Sequence, residues 1–154
     1  MKPRIIIGID PDCSASGIAI IDKESQYMVL DVLPFPNLIN LILKIEHNFV
    51  VIVEAGWLIK SNWHIKANDS KSVSSAKGNS VGRNHETGRK IVEMLKYHNI
   101  NVIEQRPLQK CWKGKDRKIT HEEISKIIPN FPPKSNQENR DAALIAWTFK
   151  DIKI

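Results

Sequence analysis

The stretch IIIGID at residues 5–10 decides the fold class, because this continuous β-branched run ends at an acidic residue. Such a run is typical of a strand that is covered on both faces of its sheet. A second run, FVVIVE at residues 49–54, has the same character and also ends in a carboxylate. Between the two runs, leucine and isoleucine recur at helical spacing over residues 38–45. Strand, helix and strand predict a parallel crossover, so we expect the two strands to lie side by side.

Three further segments complete the predicted sheet. Residues 16–21 and 27–33 are predicted strands that follow the first one through short connections, which is typical of an antiparallel meander. Residues 101–104 form a short last strand after a helix that is predicted from about residue 81 to residue 98. The prediction is therefore one α/β domain over residues 1–154, with a five-stranded mixed sheet flanked by helices.

The remaining segments are a long loop and two C-terminal helices. Residues 55–80 show no clear hydrophobic period, and a loop of this length inside a domain is generally functional or disordered. Thr120 and Glu123 have the spacing of a capping box, which opens a helix that ends at Pro129. A final helix is predicted over residues 136–149.

Composition excludes several classes of protein. The chain has 154 residues, 42% of them hydrophobic and 26% charged, and no apolar run reaches the roughly 20 residues of a membrane span. Disordered, collagen-like and membrane-spanning architectures are thereby excluded. The N-terminal apolar run is too short for a secretory signal, and two cysteines cannot form a disulfide framework. We therefore expect an intracellular, cytoplasmic protein.

Positive charge is concentrated in the middle of the chain. The formal net charge is +6. Residues 1–54 hold 4 basic and 7 acidic side chains, residues 55–118 hold 14 and 5, and residues 119–154 hold 5 and 5. This concentration favours a polyanionic partner such as nucleic acid, although a solvated basic surface explains it equally well.

Four acidic residues occupy positions that a soluble core does not favour. Asp10 and Glu54 end the two buried strands, and sites in α/β sheets form at the carboxyl ends of adjacent parallel strands. Glu138 and Asp141 lie three residues apart on the last predicted helix and so share a face, although Glu138 can instead complete a capping box with Ser135. Converging carboxylates without His or Cys favour Mg²⁺ or Mn²⁺, and two such ions can drive phosphodiester hydrolysis.

The segment IIGIDPDCSASGIAI at residues 6–20 resembles the first-hairpin signature of RuvC-type Holliday junction resolvases, within the RNase H-like superfamily. Glu54 at the end of the fourth strand and the segment DAALIA at residues 141–146 resemble later motifs of this family, in the same order. The resemblance covers nearly the whole chain. It implies an RNase H-like fold and a Mg²⁺-dependent endodeoxyribonuclease, with Mn²⁺ able to substitute. Two ions per site would be held by Asp10, Glu54, Glu138 and Asp141.

The resemblance also implies which residues contact DNA. Trp57 stands three residues after Glu54, where such resolvases carry an aromatic side chain that stacks on bases, although Trp57 can instead pack beneath the long loop. Gly82 and Gly88 resemble paired small residues on the family's central helix. The basic side chains expected to contact phosphates are Lys60, Arg83, Arg89, Lys110, Lys113, Lys115, Arg117 and Lys118.

The expected partner and one departure also follow from the resemblance. A Holliday junction is two-fold symmetric, so the implied enzyme is a homodimer that nicks opposing strands of branched DNA. Asp12 replaces a glycine that is usual in the family, which places a further negative charge beside the proposed metals. The chain is somewhat shorter than typical bacterial members, as a phage, viral or otherwise divergent member would be.

Three other functions remain open from the sequence. Another RNase H-like nuclease, acting on RNA or on branched nucleic acid, would share the same carboxylates. A catalytically inactive nucleic-acid-binding module is disfavoured, because four unneeded buried carboxylates would only reduce stability. A sugar-kinase or actin-like ATPase needs two such domains, and 154 residues are enough for one.

Overall fold

A five-stranded sheet forms the centre of the computed structural model, which describes residues 2–60 and 66–153. The strands are β1 (Ile5–Asp10), β2 (Ser16–Asp22), β3 (Tyr27–Leu33), β4 (Phe49–Glu54) and β5 (Val102–Gln105). Their order is β3-β2-β1-β4-β5, with antiparallel pairing on the β3 side of β1 and parallel pairing on the β5 side. The predicted mixed sheet, its meander and the neighbouring positions of β1 and β4 are confirmed.

Helices cover both faces of this sheet. They are α1 (Phe35–Leu43), α2 (Lys71–Tyr97), α3 (His121–Ile127) and α4 (Gln137–Thr148). Side chains alternate along β1, so Ile5 and Ile7 pack against α1 and α2, while Ile6 packs against α3 and α4. The same alternation turns Asp10 and Glu54 toward the face that α4 covers. None of the described helices is long and apolar enough to span a membrane.

The start of α2 differs from the prediction. The helix begins at Lys71 rather than near residue 81, so the expectation of a loop over residues 71–80 is wrong. Ser70 caps the helix, because its side chain accepts a hydrogen bond from the backbone N–H of Val73. The first three turns are mostly exposed and carry no apolar stripe, so hydrophobic periodicity could not indicate them. Residues 61–65 of the predicted loop lie outside the described part of the chain.

Two glycines allow α4 to approach the sheet closely. A Cβ built on Gly8 of β1 would overlap the backbone oxygen of Ala142, and one built on Gly17 of β2 would overlap the backbone oxygen of Glu138. The helix backbone therefore rests directly on these two strands. This contact places the first turns of α4 over the carboxyl end of β1, next to Asp10.

Both C-terminal helices begin with capping boxes. The box of α3 consists of Thr120 and Glu123, as the spacing predicts. The box of α4 consists of Asn136 and Asn139, so the alternative role of Glu138 as a capping residue is wrong. Glu138 lies within the first turn of α4 instead.

Candidate active site

The four predicted carboxylates line one groove, which we call the carboxylate cleft. Asp10 and Glu54 stand at the ends of the parallel neighbours β1 and β4, and α4 contributes Glu138 and Asp141. The cleft has two adjoining cavities, of about 240 and 60 Å³. Asp10 and Glu54 line both cavities, whereas Glu138 lines the larger one and Asp141 the smaller. The structure thus brings together residues that are up to 131 positions apart in the chain.

Burial and mutual repulsion disfavour the charged forms of two of these carboxylates. Burial, and then repulsion from Glu54 and Asp141, raises the pKa of Asp10 well above its ordinary value. Burial, and then repulsion from Asp141, also raises the pKa of Glu54. A group of buried acids can ionise together at neutral pH only if positive charge lies close to it.

Two lysines supply positive charge inside the cleft. Lys110 and Lys118 each line both cavities. The Nζ of Lys118 lies 2.9 Å from Oδ2 of Asp141. Burial opposes the charge on Lys118, but the hydrogen bond to Asp141 and the nearby carboxylates outweigh it, so the pKa of this lysine is raised. Part of the basic segment therefore lies among the acids rather than on the outer surface.

The donor chemistry of the cleft suits a hard divalent cation. The four predicted carboxylates outnumber the two lysines of the cleft, and carboxylate oxygens are the ligands that Mg²⁺ prefers. Within residues 2–60 and 66–153, however, no three His, Cys, Asp or Glu side chains form a group placed to hold a metal ion. Asp141 in particular is hydrogen bonded to Lys118 and Gln137. The residue types fit Mg²⁺, while the side-chain positions leave Asp141 bound to protein partners.

Trp57 lines the larger cavity and is held by contacts from α2 and β5. Its Nε1–H donates to Oε2 of Glu104 at 3.1 Å, and Nζ of Lys96 donates to the other oxygen of that carboxylate at 2.8 Å. The ring of His85 meets the indole edge-on, with 6.4 Å between ring centroids. The guanidinium carbon of Arg89 lies 5.8 Å from the indole centroid. The indole is therefore fixed in position at the edge of the cleft.

Asp12 organises the turn between β1 and β2. Its Oδ1 accepts a hydrogen bond from the backbone N–H of Ser14 at 2.8 Å, and its Oδ2 accepts one from Nδ2 of Asn84 at 3.1 Å. The Oδ1 of Asn84 in turn accepts one from the backbone N–H of Cys13 at 3.0 Å. Asp12 lines the larger cavity, as its position beside Asp10 implies, but both of its oxygens are bound by protein donors.

The other basic residues expected to contact DNA lie outside the cleft. Arg83 lines a separate groove along α2. The segment after β5 turns back through a short 3-10 helix at Lys115–Arg117. The remaining side chains of this set are exposed, namely Lys60, Lys113, Lys115 and Arg117. The predicted DNA-contacting set is thus divided between the cleft, its edge and the surface.

Sequence reasoning missed the polar side chains behind Asp141. Nε2 of Gln137 donates to Oδ1 of Asp141 at 2.7 Å, and Arg140 donates to Oε1 of Gln137 at 3.1 Å. The four-residue spacing of Gln137 and Asp141 on α4 is the signal that indicates this contact. The contact between Lys118 and Asp141 has no local signal, because 23 positions separate the two residues.

No family model matches the chain, and no curated protein matches it. Among solved structures, T. thermophilus RuvC in complex with Holliday junction substrate is similar in fold, with a TM-score of 0.60. The match covers 96% of this chain and 93% of that chain, at 14% sequence identity. The chain has a RuvC-like fold. At this identity the similarity shows the predicted RNase H-like architecture and leaves activity to be proposed from the site.

Proposed function

We propose that the protein is a structure-selective endodeoxyribonuclease that resolves four-way DNA junctions by metal-assisted phosphodiester hydrolysis. The main support is the meeting of four carboxylates and two lysines in one cleft of a RuvC-like fold. The similar T. thermophilus protein is described with a Holliday junction substrate, which supports the same substrate class. Residues 1–154 would act as one nuclease domain.

The carboxylate cleft would hold Mg²⁺, or Mn²⁺ in its place, through Asp10, Glu54, Glu138 and Asp141. When bound there, two such ions would supply the Lewis acidity that activates a water and stabilises a leaving oxygen. Because burial and repulsion raise the pKa of Asp10, a nearby divalent cation would favour its ionised form. Lys110 and Lys118 would attract the phosphate backbone into the cleft and orient it toward the carboxylates.

The surfaces beside the cleft suit branched DNA. The fixed indole of Trp57 offers an aromatic surface on which a base at the branch point can stack. Lys113, Lys115 and Arg117 are exposed on the segment that leads from β5 to Lys118 in the cleft. Phosphate contacts from these side chains would orient the arms of the junction without reading their sequence.

A homodimer would match the two-fold symmetry of the junction. The dimer is supported by an open groove of about 800 Å³ beside α2, which we call the α2 groove. The apolar wall of this groove includes Phe35, Met94 and Tyr97. Met94 is 36% exposed and Tyr97 is 78% exposed, and contiguous exposed apolar side chains mark interaction surfaces. Charged side chains of both signs surround this wall, namely Arg83, Glu86, Lys90 and Glu93. The same charges on a second copy of the chain would form ion pairs with them.

The proposal is tested by incubating the purified protein with a synthetic immobile four-way junction. We expect paired symmetric nicks with Mg²⁺ and none when the cation is chelated. Asp10→Asn and Asp141→Asn should bind the junction without cutting it. Asp31→Asn is the matched control, because Asp31 is exposed on β3 and lies outside the cleft. Retained cutting by Asp10→Asn, loss of junction binding in that variant, or preferred cutting of an RNA/DNA hybrid would contradict the proposal.

A further inference from the structure

Both carboxylate oxygens of Asp141 have protein partners. Oδ1 accepts a hydrogen bond from Nε2 of Gln137 at 2.7 Å, and Oδ2 accepts one from Nζ of Lys118 at 2.9 Å. The side chain of Asp141 is 18% exposed, so these contacts lie largely away from solvent. The two partners come from different parts of the chain. Gln137 lies one turn earlier on the same helix, whereas Lys118 lies on the segment between β5 and α3.

The orientation of the Gln137 amide is set by Arg140. Nη2 of Arg140 donates to Oε1 of Gln137 at 3.1 Å, which leaves the amide NH₂ directed at Asp141. The same NH₂ also lies 3.4 Å from the backbone oxygen of Ile119. A flipped amide would oppose donor to donor at Arg140 and acceptor to acceptor at Asp141. Only one orientation of this amide is therefore compatible with its neighbours.

Arg140 is anchored by oxygen atoms of Ile119 and Ser135. Its Nε donates to the backbone oxygen of Ile119 at 3.2 Å, and its Nη1 donates to both the backbone oxygen and the hydroxyl of Ser135, each at 3.2 Å. That hydroxyl is also 2.7 Å from Nδ1 of His121. A guanidinium is a planar fork of fixed geometry, so these contacts hold its position whatever occupies the cleft.

We propose that Gln137 and Arg140 are positioning residues for Asp141, and that they determine which carboxylate oxygen faces the cleft. Oδ1 stays bound to Gln137, and Oδ2 is the oxygen presented to Lys118 or to a divalent cation. Hydrogen-bonding partners behind a metal ligand commonly change metal affinity by about 10- to 100-fold. The inference deepens the proposed function and rests on it, because it needs Asp141 to be a ligand.

The test uses Gln137→Met, which keeps the length of the side chain and removes its amide. We expect the DNA-free variant to bind Mn²⁺ about 10-fold more weakly by calorimetry. The Mg²⁺ concentration for half-maximal junction cleavage should rise by a similar factor, with a smaller change in the rate at saturating Mg²⁺. Gln26→Met, on the exposed turn between β2 and β3, is the matched control and should bind Mn²⁺ as the wild type does.

Arg140→Lys provides a second, independent variant. A lysine cannot bridge Ile119, Ser135 and Gln137 at once, so Mn²⁺ affinity should fall in the same direction. Because the arginine acts through the glutamine, the double variant Gln137→Met/Arg140→Lys should bind Mn²⁺ no more weakly than Gln137→Met alone. Additive losses would show that the two side chains act separately and would overturn the inference.

Three results separate this inference from the function on which it rests. Wild-type Mn²⁺ affinity in Gln137→Met overturns the inference while junction cleavage by the wild type still stands. A lower melting temperature with unchanged Mn²⁺ affinity assigns Gln137 a purely structural role and also overturns it. If Asp141→Asn binds Mn²⁺ as tightly as the wild type does, the inference and the proposed metal site both fail.

Discussion

Gly88 of α2 lies directly against the indole of Trp57. A Cβ built on Gly88 would overlap Cζ3 of that ring and stand 2.9 Å from its Cη2. The same Cβ would lie 3.2 Å from Cγ of Pro11, and the indole N–H is bound at its own edge by Glu104. The β1–β2 turn, α2 and β5 therefore meet around this ring and hold it in one position.

Replacing Gly88 by alanine should destabilise the protein, although alanine favours a helix by about 1 kcal/mol over glycine. The added methyl group must displace the indole, and overpacking of this kind costs roughly 1–3 kcal/mol. We expect a lower urea midpoint for Gly88→Ala. The control is Gly82→Ala on the same helix, where a Cβ would meet nothing within 4 Å and the midpoint should rise. Equal stabilisation by both substitutions would contradict the packing of Trp57 on Gly88.

The strands and their terminal carboxylates were predictable because each signal is local. β1 and β4 are continuous apolar runs, and the period of two along a strand places Asp10 and Glu54 on one face. The spacing of Glu138 and Asp141 similarly places them together on α4. Because β1 and β4 are adjacent and parallel, Asp10 and Glu54 lie at the same edge of the sheet, where α4 packs.

Two of the contacts that arrange the site could not be predicted, because nothing local marks them. Lys118 and Asp141 are 23 positions apart, and Trp57 and Glu104 are 47 positions apart. The first turns of α2 escaped prediction for another reason. They pack against little else, so burial imposes no apolar period on their sequence, and the Ser70 cap alone marks the start.

Trp57 should decide how well the protein distinguishes junctions from duplexes. Trp57→Ala removes the stacking surface, and the loss of one stacked base reduces the binding free energy by about 1–3 kcal/mol. Competition binding should therefore show a weaker preference for a four-way junction over linear duplex. Trp57→Phe keeps an aromatic face but loses the hydrogen bond from the indole N–H to Glu104. Its preference for the junction should therefore fall between that of the wild type and that of Trp57→Ala. An unchanged preference in Trp57→Ala would show that the indole serves packing alone.

The stability of the protein should depend on pH because the pKa of Asp10 is raised in the folded state. A carboxyl whose pKa is raised in the folded state binds its proton more tightly when the protein is folded. Its contribution to the free energy of unfolding is therefore complete below the pKa of the unfolded state, which is about 4. That contribution is lost as pH rises through the raised pKa. Without divalent cations, Asp10→Asn should therefore melt a few degrees higher than the wild type at pH 8, and the difference should shrink toward pH 4.

Added Mg²⁺ should narrow this difference at pH 8, since a cation in the cleft stabilises the ionised form of Asp10. Asp31→Asn is again the control and should follow the wild-type melting profile at every pH. A constant difference between Asp10→Asn and the wild type from pH 4 to pH 8 would contradict the raised pKa of Asp10.

Lys113 and Lys115 should contribute affinity without selectivity. Both are exposed, and each phosphate contact that is lost should lower the slope of log affinity against log salt by about one. Lys113→Ala and Lys115→Ala should weaken binding to junction and duplex alike at low salt, and less at high salt. Lys126→Ala on α3, whose lysine is paired with Glu122, is the control and should leave the salt slope unchanged. An unaltered salt slope in both Lys113→Ala and Lys115→Ala would remove this segment from the DNA-binding surface.

The α2 groove should carry the contact between two copies of the chain. Tyr97 is 78% exposed beside Met94, so Tyr97→Glu places a charge in the middle of the apolar wall at little expected cost to the monomer. Sedimentation should show a wild-type dimer and a monomeric variant, and the variant should make unpaired nicks in the junction. Tyr27→Glu is the matched control, because this tyrosine is 67% exposed at the β3 edge, away from the groove. If Tyr97→Glu still dimerises, the two copies meet through another surface, and the exposed apolar wall of α2 needs a different partner.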